Sequence, residues 1–124
     1  MIACDTSSLV AYLQGEDGPD IDKLDHALAA GELVLPPVVV TEILSDPASQ
    51  NALAAALPDV KVLDLPDGFW ARAGFSRQTL KQHGLKCKIG DTLVAQSCID
   101  HDISLIARDG DFRHFAKYCG LKLA

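Results

Sequence analysis

Hydrophobic residues in this chain form short continuous runs that alternate with longer segments in which they recur every three or four positions. Strands are predicted at residues 2–4, 33–35, 60–63 and 104–107, and the apolar runs that follow or fill these segments are typical of strands in a parallel sheet. A last run at residues 121–123 can add an edge strand. Because strands alternate with helices, the pattern predicts an α/β fold, with a parallel sheet of four to five strands and helices on both faces.

The longer segments are predicted to be helices with one apolar side. Asp20 and Asp67 stand where N-cap residues are expected, ahead of the second and the fifth helix. Trp70 falls among the apolar residues of that fifth helix. The predicted helices cover about residues 6–13, 20–30, 38–44, 48–57, 68–83 and 91–101, with a last helix from 112.

The segment at residues 38–44 has an ambiguous pattern. Its three consecutive valines favour a strand, whereas the prolines before it favour the first turn of a helix. We predict a helix, because a strand here would follow another strand across only two residues. On that helix Glu42 lies three and four residues after Val39 and Val38, so it is predicted to share their inward face. A glutamate on an apolar face is unusual unless it has a partner.

Three aspartates occupy related positions. Asp5 and Asp109 each follow a buried strand, and Asp91 precedes the apolar positions Val94 and Ala95 by three and four residues. Each acid taken alone is more often structural, and Asp5 in particular could simply cap a helix. In a doubly wound sheet, however, these aspartates and Glu42 can converge on the crevice at the carboxyl ends of the strands.

Converging carboxylates repel one another and lose hydration, so such a group needs a compensating cation. An all-oxygen set with no clustered histidine or cysteine suits Mg²⁺, or Mn²⁺ in its place. The four cysteines contain no Cys-x-x-Cys pair, which disfavours a zinc site or a disulfide framework. Phosphate-binding loops and a serine-hydrolase elbow are also absent, and an aspartyl phosphatase would need an acid where Ser7 stands.

Length and composition fit one globular domain over residues 1–124, with 48% hydrophobic and 23% charged residues. No apolar run is long enough for a membrane span, and no signal peptide precedes the first strand, so the expected location is the cytoplasm. The net charge is −6, but residues 1–68 carry −10 and residues 69–124 carry +4. The second half is therefore the side expected to face a polyanion.

Four segments, in order, carry a family resemblance: IACDTS at residues 2–7, VTEIL at 40–44, GDTLVA at 90–95 and LIARDGDF at 105–112. Together they resemble the PIN-domain ribonucleases, specifically the VapC-type toxins of bacterial toxin–antitoxin pairs. The resemblance implies a magnesium-dependent endoribonuclease that forms a homodimer and is blocked by a small antitoxin protein. One departure is the Gln-Ser-Cys sequence at 96–98, where small apolar residues are commoner.

The resemblance also implies roles for individual residues. Asp5, Glu42, Asp91 and Asp109 match the family's acidic quartet, with the metal held by Asp5, Asp91 and Asp109. Glu42 would either act as the base or bind metal through water. Thr6 or Ser7 and Asp111 match supporting positions, and we expect Lys86, Lys88 and Arg108 to contact RNA phosphates. The alternative is a PIN-like scaffold or RNA-binding regulator without activity, which the intact acidic set disfavours.

Overall fold

A computed structural model describes residues 1–48, 55 and 59–124. The strands of its sheet are β1 (Ile2–Cys4), β2 (Leu33–Leu35), β3 (Lys61–Val62) and β4 (Ser104–Ile106). All four are parallel, and they lie in the order β3-β2-β1-β4. Leu123 forms a further parallel bridge to Leu105 beside β4, where an edge strand was predicted. The predicted fold class, α/β with a parallel sheet, is confirmed.

The described residues contain six helices, and the predicted helix at residues 48–57 lies almost wholly outside them. In chain order, the first helix packs against the second and the third, while the fourth packs against the fifth and the sixth. None of the helices in the described part of the chain is long and apolar enough to cross a membrane. The helices are α1 (Thr6–Leu13), α2 (Pro19–Ala29), α3 (Pro37–Leu44), α4 (Phe69–Gln82), α5 (Ile89–His101) and α6 (Phe112–Cys119).

Two predicted helix caps are wrong. Helix α2 begins at Pro19, a residue suited to the first turn, so Asp20 lies inside the helix and its side chain pairs with Arg108. Helix α4 begins after Gly68, and Asp67 contributes its backbone carbonyl, which accepts a hydrogen bond from Arg72. In both cases an arginine engages the segment in which a cap was expected: Arg108 is 88 residues from Asp20, and Arg72 is five residues from Asp67.

The core lies on both faces of the sheet. Successive side chains of a strand point to opposite faces, and all three residues of β2 are buried, so both faces there are covered. Phe69, Ala73 and Leu80 of α4 are buried as predicted. Trp70, by contrast, is 66% exposed, because it lies about 100° around the helix from Phe69.

The sheet brings the ends of β1 and β4 together. Cys4 pairs with Ile106 in the parallel ladder, and the amide of Asp5 donates to the Ile106 carbonyl at 3.0 Å. The residues that follow these two strands therefore meet at one edge of the sheet, which places Asp5 close to the loop that carries Asp109.

Candidate active site

Asp5 is almost completely buried and its carboxylate is held from two sides. Oδ1 accepts a hydrogen bond from the Ser8 amide and Oδ2 accepts one from the Ser7 hydroxyl, both at 2.8 Å. Asp5 is thus the N-cap of α1, which is the purely structural role that the sequence also allowed. It also lines the acidic cleft, so capping and a place in the site are compatible.

Glu42 joins the cleft from α3. The Thr6 hydroxyl donates to its Oε1 at 2.8 Å. Gly90, in the first turn of α5, lies beside this carboxylate, since a Cβ there would be in ordinary van der Waals contact with Oε2 at 3.5 Å. The amide groups of a helix N-terminus carry partial positive charge, which favours a carboxylate at this place.

The prediction that Glu42 shares an inward, apolar face is wrong. Val39 and Ile43, four residues apart, form the buried line of α3, and Val38 is only half-buried. Glu42 lies one position off that line and is exposed to solvent in the cleft. The partner expected for it nevertheless exists, in the Thr6 hydroxyl.

Asp91, Asp109 and Asp111 form the tightest acidic group in the described part of the chain. Each can offer one carboxylate oxygen such that all three oxygens lie within 4.8 Å of one another. The Asp111 amide donates to Asp109 Oδ1 at 2.9 Å, which fixes the turn between β4 and α6. The family resemblance assigned Asp111 a supporting place, whereas the structure puts its exposed carboxylate in the same group as those of Asp91 and Asp109.

These elements enclose a cleft of about 230 Å³ at the edge of the sheet. All four predicted acids line it, together with both predicted hydroxyl residues. Val94 and Phe112 form its apolar walls and were not predicted as site residues. Their spacing in the sequence could have indicated them, because Val94 lies about one helical turn after Asp91 and Phe112 directly follows Asp111. The lining residues are Asp5, Thr6, Ser7, Glu42, Asp91, Val94, Asp109 and Phe112.

The crowding of carboxylates shows in the electrostatics of Asp91. Burial, followed by the charge of Asp109, raises its pKa from 3.8 to about 6. Glu42 and Asp111 raise this pKa further, whereas the nearby cation of Lys88 lowers it. Asp91 therefore binds a proton more readily than an ordinary aspartate, which indicates a site that favours positive charge.

The three basic residues predicted to contact RNA differ in their surroundings. Lys86 and Lys88 are exposed on the loop before α5. The guanidinium of Arg108 donates instead to the carboxylate of Asp20, at 2.8 and 3.1 Å. A phosphate could bind to Nε and Nη2 of Arg108 only by displacing Asp20 or by sharing these two donors with it.

The donor atoms of the acidic group fit a hard divalent cation. Carboxylate oxygens are the ligands that Mg²⁺ and Mn²⁺ prefer. Two oxygens bound to one Mg²⁺ at about 2.1 Å lie no more than roughly 4.2 Å apart. Small side-chain rotations would therefore bring the oxygens of Asp91, Asp109 and Asp111, now within 4.8 Å, onto one ion. Asp5 lies in the same cleft and is the remaining predicted ligand.

Comparison with known proteins gives one family match. The model of the PIN domain family matches residues 2–118, nearly the whole chain. A search of curated proteins gives no match.

Similar solved structures cover nearly the whole chain at low sequence identity. VapBC2 from Rickettsia felis bound to a promoter DNA fragment has a TM-score of 0.80 at 19% identity, over 100% of this chain and 98% of that one. DNA-bound VapBC from Salmonella typhimurium gives 0.75 at 15%, over 100% and 98%. FitAcB from Neisseria gonorrhoeae gives 0.69 at 18%, over 99% and 96%. At identities this low, the structural similarity shows a common fold and nothing further.

Proposed function

Because this chain belongs to the PIN domain family, as the match over residues 2–118 shows, we propose that it is a metal-dependent endoribonuclease and the toxin of a type II toxin–antitoxin pair. PIN domains are generally nucleases. The observation that carries the proposal is the meeting of Asp5, Glu42, Asp91 and Asp109 in one cleft. An inactive scaffold would have no need to keep four repelling carboxylates together.

Asp91, Asp109 and Asp111 are the residues proposed to hold Mg²⁺ or Mn²⁺, and Asp5, which lines the same cleft, is proposed to complete the set. When bound, the ion offsets charge on the phosphoryl oxygens and lowers the pKa of a coordinated water. Burial of Asp5 and its bonds to Ser7 and Ser8 fix that carboxylate in one orientation, so it needs no reorganisation when the substrate arrives.

Glu42 is proposed to orient the attacking water and accept its proton. Thr6 engages Oε1, which leaves Oε2 as the oxygen available to the water. The exposure of Glu42 to the cleft supports this role, because a base must reach a solvent molecule beside the phosphate. The exposed Lys86 and Lys88, beside Asp91 in sequence, are proposed to bind the phosphates that flank the scissile bond.

A small antitoxin protein is the proposed partner, and a homodimer the proposed assembly. The three similar structures are of VapBC and FitAcB, two of them with DNA. This chain also has an apolar groove of about 170 Å³ between α3, α4 and α5, with the exposed Trp70 and Leu65 at its edge. Exposed apolar surface of this kind commonly marks a protein interface.

Incubation of the whole chain with mixed cellular RNA, with Mg²⁺ or with EDTA, tests the proposed activity. We expect RNA fragments with Mg²⁺ and intact RNA with EDTA. Intact RNA under both conditions would favour the inactive scaffold. Fragmentation that EDTA does not prevent would contradict metal dependence and would point to a contaminating nuclease.

A further inference from the structure

Arg108 connects two parts of the chain that lie 88 residues apart. Its Nε donates to Asp20 Oδ2 at 2.8 Å, and its Nη2 donates to Asp20 Oδ1 and to the Asp17 carbonyl, both at 3.1 Å. Its Nη1 lies 3.7 Å from the Glu16 carboxylate. Every guanidinium nitrogen of Arg108 thus faces an oxygen of the turn between α1 and α2 or of the first turn of α2.

That turn is shaped to receive the guanidinium. Gly18 has a φ of +151°, which a residue with a side chain rarely adopts, and a Cβ there would lie 2.8 Å from Asp20 Oδ1 and 3.1 Å from Arg108 Nη2. The Asp20 side chain is 13% exposed. Hydrogen bonding to Arg108 is the largest cause that lowers the pKa of Asp20, so the carboxylate there is ionised and paired.

Arg108 is also the residue directly before Asp109. Within the loop from Arg108 to Asp111 the Asp111 amide donates to Asp109, and Arg113 of α6 donates to the Gly110 carbonyl. These bonds set the shape of the loop and join it to the helix that follows, but neither of them reaches the α1–α2 turn. The contacts of Arg108 attach the loop to Asp17 in the α1–α2 turn and to Asp20 in the first turn of α2.

We propose that Arg108 is a positioning residue of the acidic cleft: clasped by Asp20 and the Asp17 carbonyl, it anchors the β4–α6 loop so that Asp109 and Asp111 face Asp91. This inference rests on the proposed metal site. It assigns Arg108 a different task from the RNA contact that the sequence suggested, because the fork that would bind a phosphate bidentately is already occupied.

The two roles predict opposite effects of removing Asp20. Asp20→Asn removes the ion pair with Arg108 and weakens the two hydrogen bonds, so the guanidinium becomes available to other partners. If Arg108 positions the loop, Asp20→Asn and Arg108→Gln both weaken metal binding. If Arg108 contacts phosphate, Arg108→Gln weakens RNA binding and Asp20→Asn leaves it unchanged or improves it.

Calorimetric titration of the whole, RNA-free chain with Mn²⁺ measures the effect on the site without relying on activity. We expect Arg108→Gln and Asp20→Asn each to weaken Mn²⁺ binding by roughly 10- to 100-fold, the usual effect of losing a group that orients metal ligands. The double variant should be no weaker than the weaker single variant, since both changes remove the same contact.

Arg72 provides a matched control. Its Nε and Nη2 donate to Asp100 at 3.0 and 2.7 Å, and its Nη1 donates to the Asp67 carbonyl at 2.8 Å. This clasp has the same form as that of Arg108, but it joins α4 to α5 and touches no cleft residue. Arg72→Gln should therefore leave Mn²⁺ affinity within about twofold of wild type, as expected for independent sites.

The outcomes separate the inference from the function on which it rests. Wild-type chain that binds no Mn²⁺ would overturn the metal site itself. Wild-type affinity in Arg108→Gln, together with lost affinity in Asp91→Asn, would overturn the positioning role and leave the metal site in place. An equal loss in Arg72→Gln would also overturn it, because general destabilisation would then account for the effect.

Discussion

Asp91 and Asp109 reach one another from different elements, α5 and the loop after β4, and with Asp111 they can place their carboxylate oxygens within 4.8 Å. Burial and the charge of Asp109 are the two largest causes that raise the pKa of Asp91 to about 6. The fold thus maintains an unfavourable contact between like charges. A bound cation would turn that contact into a favourable one, which is the basis of the predictions below.

The stability of the metal-free protein should fall as pH rises through the range in which Asp91 titrates. A pKa raised from 3.8 to about 6 means that the native state binds a proton more tightly than the unfolded chain does. The resulting stabilisation is complete below the unfolded value and is lost as pH rises through about 6. Thermal melts in EDTA between about pH 4 and 7.5 measure it, with Asp91→Asn as the reference. Parallel curves for the two proteins would contradict the prediction.

Metal should oppose this loss of stability, because the ion binds the ionised carboxylates. At about 100 times its dissociation constant, Mn²⁺ should add roughly 2.7 kcal/mol to the free energy of unfolding. The increment should grow from about pH 5.5 to 8 in wild type and be much smaller in Asp91→Asn. An equal increment in both proteins would mean that the ion binds elsewhere.

Lys86 and Lys88 should contribute to RNA affinity through phosphate contacts. In an Asp91→Asn background, which prevents cleavage, Lys88→Glu should weaken RNA binding and reduce the slope of log affinity against log salt by about 0.7 to 1. Lys86→Glu should act similarly. Lys23→Glu, an equally exposed change on α2, is the control. The same affinity and slope in Lys88→Glu and Lys23→Glu would place the RNA on another surface.

Thr6 should matter through Glu42. Thr6→Val keeps the shape of the side chain but removes the hydroxyl that donates to Glu42 Oε1, so the proposed base loses its orientation. We expect kcat to fall by about 10-fold or more, since small misplacements of catalytic groups are costly. Thr79→Val, which removes a hydroxyl bonded only within α4, should leave kcat unchanged. A wild-type kcat in Thr6→Val would mean that Glu42 does not depend on this bond.

Much of the candidate site could be predicted because strand ends are local features of a sequence. Asp5 and Asp109 were identified from the short apolar runs before them, and the parallel pairing of β1 with β4 brings those ends together. Asp91 was identified from its spacing to Val94 and Ala95. These inferences need only the periodicity of strands and helices and the geometry of parallel sheets.

Other features depend on tertiary contacts that local patterns do not encode. The exposure of Glu42 depends on which line of α3 meets the core, and Val39 and Ile43 meet it. Trp70 is a large aromatic residue of the kind expected in a core, but its side chain on α4 is mostly exposed. The engagement of Arg108 by Asp20 joins residues 88 positions apart, so spacing in the sequence could not reveal it.

The most direct test of the central claim, that these acids form a metal-dependent ribonuclease site, is the rate of RNA cleavage by Asp91→Asn beside that by Asp22→Asn. Asp22 is an exposed acid on α2, so its variant removes the same charge away from the cleft. With Mg²⁺ and mixed RNA, Asp22→Asn should cleave at the wild-type rate.

Asp91→Asn should remain folded, because it relieves repulsion in the metal-free state. Its cleavage rate should nevertheless fall by more than about 100-fold, since even groups that only orient metal ligands typically contribute 10- to 100-fold. A rate within about tenfold of wild type, a barrier change of only about 1.4 kcal/mol, would contradict the account.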